Sequence, residues 1–208
     1  MIKGSPVLYA LLFVCTLIIS GCLGRSAPEV NYYSLLTMDQ LGEVEALASL
    51  PEVKLGIGPV SIPDSLKRSQ IVTRQHGNQY MFDEFHRWAG VLEKDLEAVV
   101  GENLGQLLGV EKVVFFPWQR YFHPTHRIVI NVARLDGSLD GDAVLNARWT
   151  VADAEGKNLL LSGQSVLRQA LSEPSYVALI KAESQLVAVL SKEIAGEIAA
   201  LQTQSLDN

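Results

Sequence analysis

Cysteine is almost absent. The 208 residues hold two, Cys15 and Cys22. Beyond residue 22 there is none, which excludes an internal disulfide, a thiolate nucleophile and a cysteine-ligated zinc in the body of the chain. A basic excess is also lacking: 17 Lys and Arg stand against 23 Asp and Glu, for a formal net charge of −6. An acidic chain of this kind does not draw nucleic acid or an anionic lipid face to itself through its overall field. Long apolar runs are missing as well. The uncharged stretch at residues 7–19 falls short of the about 18 apolar residues that a membrane-spanning helix needs.

That short run has a different meaning. Lys3 precedes it and the small residues Ser20 and Gly21 follow it, the order of a secretory signal peptide. Ile19-Ser20-Gly21-Cys22 resembles the lipobox of bacterial lipoproteins. The resemblance implies a diacylglyceryl group on the Cys22 thiol, cleavage after Gly21 and acylation (palmitate and related chains) of the new amino terminus. The competing reading is an ordinary signal peptide with a chance cysteine beside it. Leu23, with no Asp at that place, implies by the sorting habit of the same class passage to the outer membrane of a Gram-negative cell. Three parts are expected: a signal peptide over 1–21, a lipidated cysteine with its tether over 22–30, and one domain over 31–208. Loss of Lys3 takes the net charge to −7. Residues 23–30 span roughly 25 Å when fully extended, so the domain works close to the membrane.

Strand patterns fill the first half. Residues 31–36 form a short strand, and 39–51 are mixed. Val53, Leu55 and Ile57 alternate with Lys54, Gly56 and Gly58, the period of a half-buried strand. Pro59 and Pro63 end pairing or confine it to an edge. Residues 70–75 and 79–85 flank His76-Gly77-Asn78 as a hairpin. From Trp88 the apolar spacing becomes three and four, through Leu92, Leu96, Val99, Val100, Leu104, Leu107 and Leu108, with Gly109 as the cap. Strands return at 112–116, 127–135, 144–151 and 158–168, with turns at Asp136-Gly137, Gly141-Asp142 and Glu155-Gly156. Trp149 shares a face with Leu145, Ala147 and Val151 and is read as core. Ser172 and Pro174 open a last helix, whose stripe runs Leu179, Leu186, Leu190, Ile194, Ile198 and Leu201, with fraying after Gln202. The fold class is α+β: a mostly antiparallel sheet packed with two main amphipathic helices.

The search for reactive groups finds little. Gly56-Ile57-Gly58 lacks the third glycine of a dinucleotide site, and Pro59 breaks the helix that should follow; the glycines are read as places of close packing. His123 and His126 have metal-like spacing but sit in a Pro-containing loop without a third ligand. His76 and His86 have no evident partner. No GxSxG elbow is present, and Asp136, Asp140 and Asp142 lack the order of a calcium loop and are read as turn-formers. No metal or cofactor is expected beyond the covalent lipid on Cys22. One cluster stands out. Tyr80, Met81, Phe82, Phe85 and Trp88 place five large apolar groups in nine residues, bordered by Arg74 and Arg87. They build the core, or their outward members form a contact patch for a partner protein or an acyl chain, with the arginines pairing to acidic groups across it.

Several segments carry a family resemblance: residues 55–64 (LGIGPVSIPD), 70–74 (QIVTR), Arg87-Trp88-Ala89, Phe116-Pro117-Trp118, Arg134-Leu135-Asp136-Gly137 and Ala147-Arg148-Trp149. In this order behind a lipobox they resemble the auxiliary lipoproteins of ABC-type transport systems, the PqiC/YmbA-like group. Gly90-Val91 and Leu135 depart from the common pattern, where Glu-Pro and Phe are usual. The resemblance implies a non-catalytic subunit of a lipid-transport machine. It would be anchored on the periplasmic face of the outer membrane, and its partner would be an MCE-domain protein that crosses the periplasm. Phospholipid contact and support of envelope integrity follow from the same resemblance, nucleic acid does not, and a homo-oligomer is left open. A structural envelope lipoprotein without a transport role, or a periplasmic hydrolase, are the other classes.

Overall fold

The computed structural model describes residues 28–75, 78–118 and 121–206. The signal segment, Cys22 and the hairpin positions His76 and Gly77 therefore lie outside the described residues. Everything else is arranged around one long strand, β6 (His126–Gly137). Ile128, Ile130 and Val132 point to one side and are buried, while Val129, Asn131 and Ala133 point away and are exposed, as strand alternation requires. One edge of β6 takes β7 (Asp142–Ala152), which in turn takes β8 (Leu159–Ala170), both antiparallel.

The other edge of β6 is divided between two strands. β2 (Lys54–Ser61) pairs in parallel from Leu55 opposite His126 to Ser61 opposite Asn131. β3 (Gln70–Gln75) joins near the far end, with Thr73 opposite Gly137. The sheet thus forks. Beyond β2 lies β5 (Lys112–Phe115); beyond β3 lie β4 (Gln79–Trp88) and then β1 (Asn31–Tyr33). Antiparallel pairing carries the long ladders, and the parallel pairs are short.

Two long helices, α2 (Leu92–Leu108) and α3 (Tyr176–Leu206), cover the buried face, and a short α1 (Met38–Leu41) precedes them in the chain. The α+β class read from the sequence holds. α2 lies over β2 and β5, and α3 over β7 and β8. The apolar residues read as the inward face of α2 are all buried, and Gly109 caps its end with φ +59. Among the described residues no helix is long and apolar enough to cross a membrane, although α3 runs 31 residues.

Several details differ from expectation. The first strand stops at Tyr33, because the backbone amides after it are taken by side chains. Leu35 N donates to Asp95 at 2.8 Å, Leu36 N to Ser184 at 3.0 Å and Met38 N to Asn103 at 2.9 Å. At the start of the stretch read as mixed, α1 forms over Met38–Leu41, with Thr37 just before it and Gln40 closing a capping box. β2 continues past Pro59, but regular pairing breaks there: the ladder to β5 ends at Ile57, and the one to β6 shifts register between Ile57 and Val60. Asp136-Gly137 belongs to β6, and the turn falls at 138–141. Ser175, not Ser172, caps α3 by accepting from Ala178 N at 3.1 Å, and the helix continues past Gln202 to Leu206.

The glycines of β2 pack closely, as read. A Cβ at Gly56 would stand 2.9 Å from Pro124, and one at Gly58, where φ is +104, would collide with buried Glu97 of α2. Trp149 is core as expected, and the indole Nε1 donates to Ser165 Oγ at 3.3 Å. Its ring packs against Gly163 of β8, where any Cβ would overlap it. Gly163→Ala should therefore cost about 1–3 kcal/mol through overpacking. It should be read as a lowered urea midpoint with an unchanged slope.

Candidate contact surface

The second limb of the fork is an arm made of β3 and β4, and its root is deeply held. Ile71 and Val72 of β3 are buried, and so is Trp88 at the end of β4. That burial removes Trp88 from the candidate contact residues: it packs in the core beside Tyr33, its partner on β1. The outer part of the arm is different. Gln79, Tyr80, Met81 and Phe82 are all exposed in succession, so neither face of β4 is covered there. Tyr80, Met81, Phe82 and Phe85 each keep between 37% and 42% of their surface exposed, which rules out the reading that most of the cluster builds the core.

Arginines sit over two of these rings. The Arg68 guanidinium sits 3.9 Å from the centre of the Phe82 ring, and that of Arg74 sits 4.3 Å from the centre of Tyr80. Tyr80 and Phe82 themselves stack at 6.3 Å. The two bordering arginines have partners inside the chain. Arg87 pairs with Glu84 at 2.6 Å. Arg74 donates to the Tyr80 hydroxyl at 2.6 Å and to both carboxylate oxygens of Asp136 at 2.8 and 2.9 Å. Pairing with acids across an interface is thus not their resting role.

Asp136 is the residue that sequence reasoning misjudged. It is buried in β6 and also accepts from Arg134 Nε at 2.8 Å, so one carboxylate ties the arm to the central strand through two guanidinium groups. A second acid stands near it. Glu183 of α3 is buried, and one of its oxygens lacks a hydrogen-bond partner. Burial first, and the charge of Asp136 second, push its pKa up from 4.5 to about 8. Glu183 is therefore neutral at pH 7.

A further set of rings fastens the inner end of the arm. Tyr33 OH lies 2.8 Å from His86 Nδ1, the His86 ring stacks on Tyr176 at 3.9 Å, and Tyr176 OH donates to Asp83 at 3.4 Å. Burial and the nearby Asp83 charge raise the pKa of both tyrosines. His86, which had no evident partner in the sequence, thus links β1, β4 and α3.

The remaining candidate chemistry is spent on packing. The His123 and His126 pair is divided: His123 is exposed, and His126 is buried. The His126 ring contacts Thr125 Oγ1 at 3.0 Å and the Gln202 amide at 3.1 Å, and burial lowers its pKa. Thr125 Oγ1 is already engaged with the backbone of Lys54. Ser165 meets Glu193 beneath Trp149. A cleft of about 370 Å³ lies between residues 66–69 and 90–93.

The family model for the ABC-type transport auxiliary lipoprotein component matches residues 33–195. The chain belongs to this family. Membership makes it an auxiliary lipoprotein component of ABC-type transport, a part that works with other components in a complex. Curated proteins offer no match. Among solved structures, a protein from Xanthomonas campestris aligns with TM-score 0.69 at 14% identity, covering 86% of this chain and 100% of its own. A protein of uncharacterised role aligns with TM-score 0.64 at 21% identity, covering 82% of this chain and 99% of its own. At these identities the likeness is one of fold.

Two outcomes follow from the polar bridge. Asp136→Asn should destabilise the domain by about 3 kcal/mol, the lower end for breaking a buried pair, because the arginines keep access to solvent. Amide exchange should rise in β3 and β4 before it rises in β7. Glu183 is an acid whose folded pKa lies above its unfolded one, so its favourable contribution is whole below about pH 4.5 and is lost as pH rises through about 8. Glu183→Gln should flatten this decline and raise the melting temperature at pH 8 relative to the parent. Thermal melts from pH 5 to 9 read the difference.

Proposed function

We propose that this chain is a lipoprotein held on the periplasmic face of the outer membrane by acyl chains on Cys22. In that place it acts as a non-catalytic accessory subunit of an MCE-type intermembrane lipid transport system and supports envelope integrity. The observation that carries the reading is the family match, which runs from β1 into α3 and names an auxiliary lipoprotein of ABC-type transport. The lipobox-like run before Cys22 supports the anchor, and Leu23 supports the outer-membrane address. Two acyl chains or more hold a protein to a bilayer far more firmly than one, since each buried methylene contributes about 0.8 kcal/mol. The exposed side chains Tyr80, Met81, Phe82 and Phe85 supply the contact surface of the anchored subunit. The non-catalytic role is supported by hydroxyl–base pairs that are taken up in packing.

Anchoring is tested by Cys22→Ser. The variant should fold, move to the soluble periplasmic fraction and leave cells as sensitive to membrane stress as a deletion does. Capture of the lipidated parent should bring down an MCE-domain protein. Full rescue by the released variant, or an unmodified Cys22 in the mass spectrum, would overturn the reading, and a lipidated protein that captures no MCE partner would favour a structural envelope role.

A further inference from the structure

The direction in which the chain enters the domain orients it on the membrane. β1 runs parallel to β4, with Asn31 opposite His86 and Tyr33 opposite Trp88. Going backwards along the chain from Asn31 is therefore going the same way as from His86 toward Gln79. The tether arrives from the side toward which the exposed end of the arm points. From His86 to Tyr80 is about 20 Å at roughly 3.3 Å per strand residue. From Cys22 to Asn31 the chain reaches about 30 Å at most. A domain anchored at Cys22 can thus set the end of its arm on the bilayer, and it cannot move much farther away than the arm is long.

The chemistry of the arm fits that position. Its outer part bears large apolar groups on both faces: Tyr80 and Phe82 on one, Met81 on the other. A protein partner covering a sheet face meets one side of a strand, whereas a lipid interface accepts both sides of an inserted wedge. Tyrosine settles at headgroup level, phenylalanine supplies apolar area just beneath it, and arginine keeps its charged end in water. Among the described residues, Arg68 has no carboxylate partner, and its guanidinium lies on Phe82. The acidic net charge of the chain means that ring insertion, and not its overall field, carries the contact.

We propose that the outer part of the β3–β4 arm, through Tyr80, Met81, Phe82 and Phe85 with Arg68 beside them, inserts into the phospholipid surface of the membrane that holds Cys22. This orientation rests on the proposed anchoring. The limb that carries β5, with exposed Tyr121 beside Val113 and Phe115 in the loop that follows, then faces away from that surface.

The cysteine-free body allows a direct test. The lipidated protein carrying Phe82→Cys, Met81→Cys or Tyr121→Cys is labelled with a polarity-sensitive fluorophore. It is then reconstituted in phosphatidylethanolamine–phosphatidylcholine vesicles containing lipids brominated on the acyl chains. Labels at 81 and 82 should be quenched about threefold more than the label at 121, the depth expected of an interfacial segment. Equal quenching at all three positions would overturn the orientation. So would labels at 81 and 82 that lipid never quenches but that crosslink to a copurified protein. A parallel arm separates this from the anchoring question: the Cys22→Ser chain is held to nickel-chelating lipid by a histidine tag at its amino terminus. Preferential quenching at 81 and 82 there supports the orientation even if native Cys22 proves unmodified, and its absence refutes the orientation alone.

Discussion

The long strand β6 has only one edge to offer to both β2 and β3, and the rest of the molecule follows from how that edge is shared. β2 occupies the first half and is covered by α2. β3 meets β6 near its end, with a single residue opposite, and cannot continue alongside it. A strand paired so briefly gains little from ladder hydrogen bonds, and its attachment must come from elsewhere. Buried Ile71 and Val72 supply part of it, and the Arg74–Asp136 bridge supplies another. The fork therefore yields two unlike limbs, one embedded under helices and one that extends beyond them.

The acids near the fork divide their roles by environment. Asp136 is buried but faces two guanidinium groups, so its charge is matched. Glu183 is buried with no cationic partner among the described residues and gives up its charge. Had both been ionised, two like charges would share a low-dielectric space, and the fold would be opposed where the arm joins it. A neutral carboxyl costs far less to bury, even with one oxygen unpartnered. The bridge thus depends on a protonated neighbour as well as on its own arginines.

What could be read in the sequence is what depends on short-range spacing. The period-2 strands, the three-and-four spacing of α2, the cap at Gly109 and the core position of Trp149 are each written in a few adjacent residues. The capping box of Thr37 and Gln40 is equally local, and a Thr followed three residues later by Gln could have disclosed α1. Asp136 was different. Asp-Gly is turn chemistry by spacing, and only the arrival of Arg74 from 62 residues away makes it a buried acceptor. The aromatic cluster was undecidable for the same reason: whether Phe82 is core or surface depends on how far the helices extend over β4, a property of the assembled sheet. Trp88, six residues on, falls on the covered side of that line.

The segment after β1 explains how an anchored domain can bear tension at its amino terminus. β1 has only three residues and pairs with β4 alone, so a pull on the tether would peel it and the arm together if nothing else held the chain. Immediately past β1, however, the amides of Leu35 and Leu36 are bound by Asp95 of α2 and Ser184 of α3, and Met38 N by Asn103, which also reaches Ser191 at 3.3 Å. Each such bond contributes about 1 kcal/mol net, but each would leave a buried polar group unsatisfied if broken. Under the proposed anchoring, load from the membrane therefore enters both helices within a few residues of β1. The arm can then remain in place beside the tether without serving as its point of attachment.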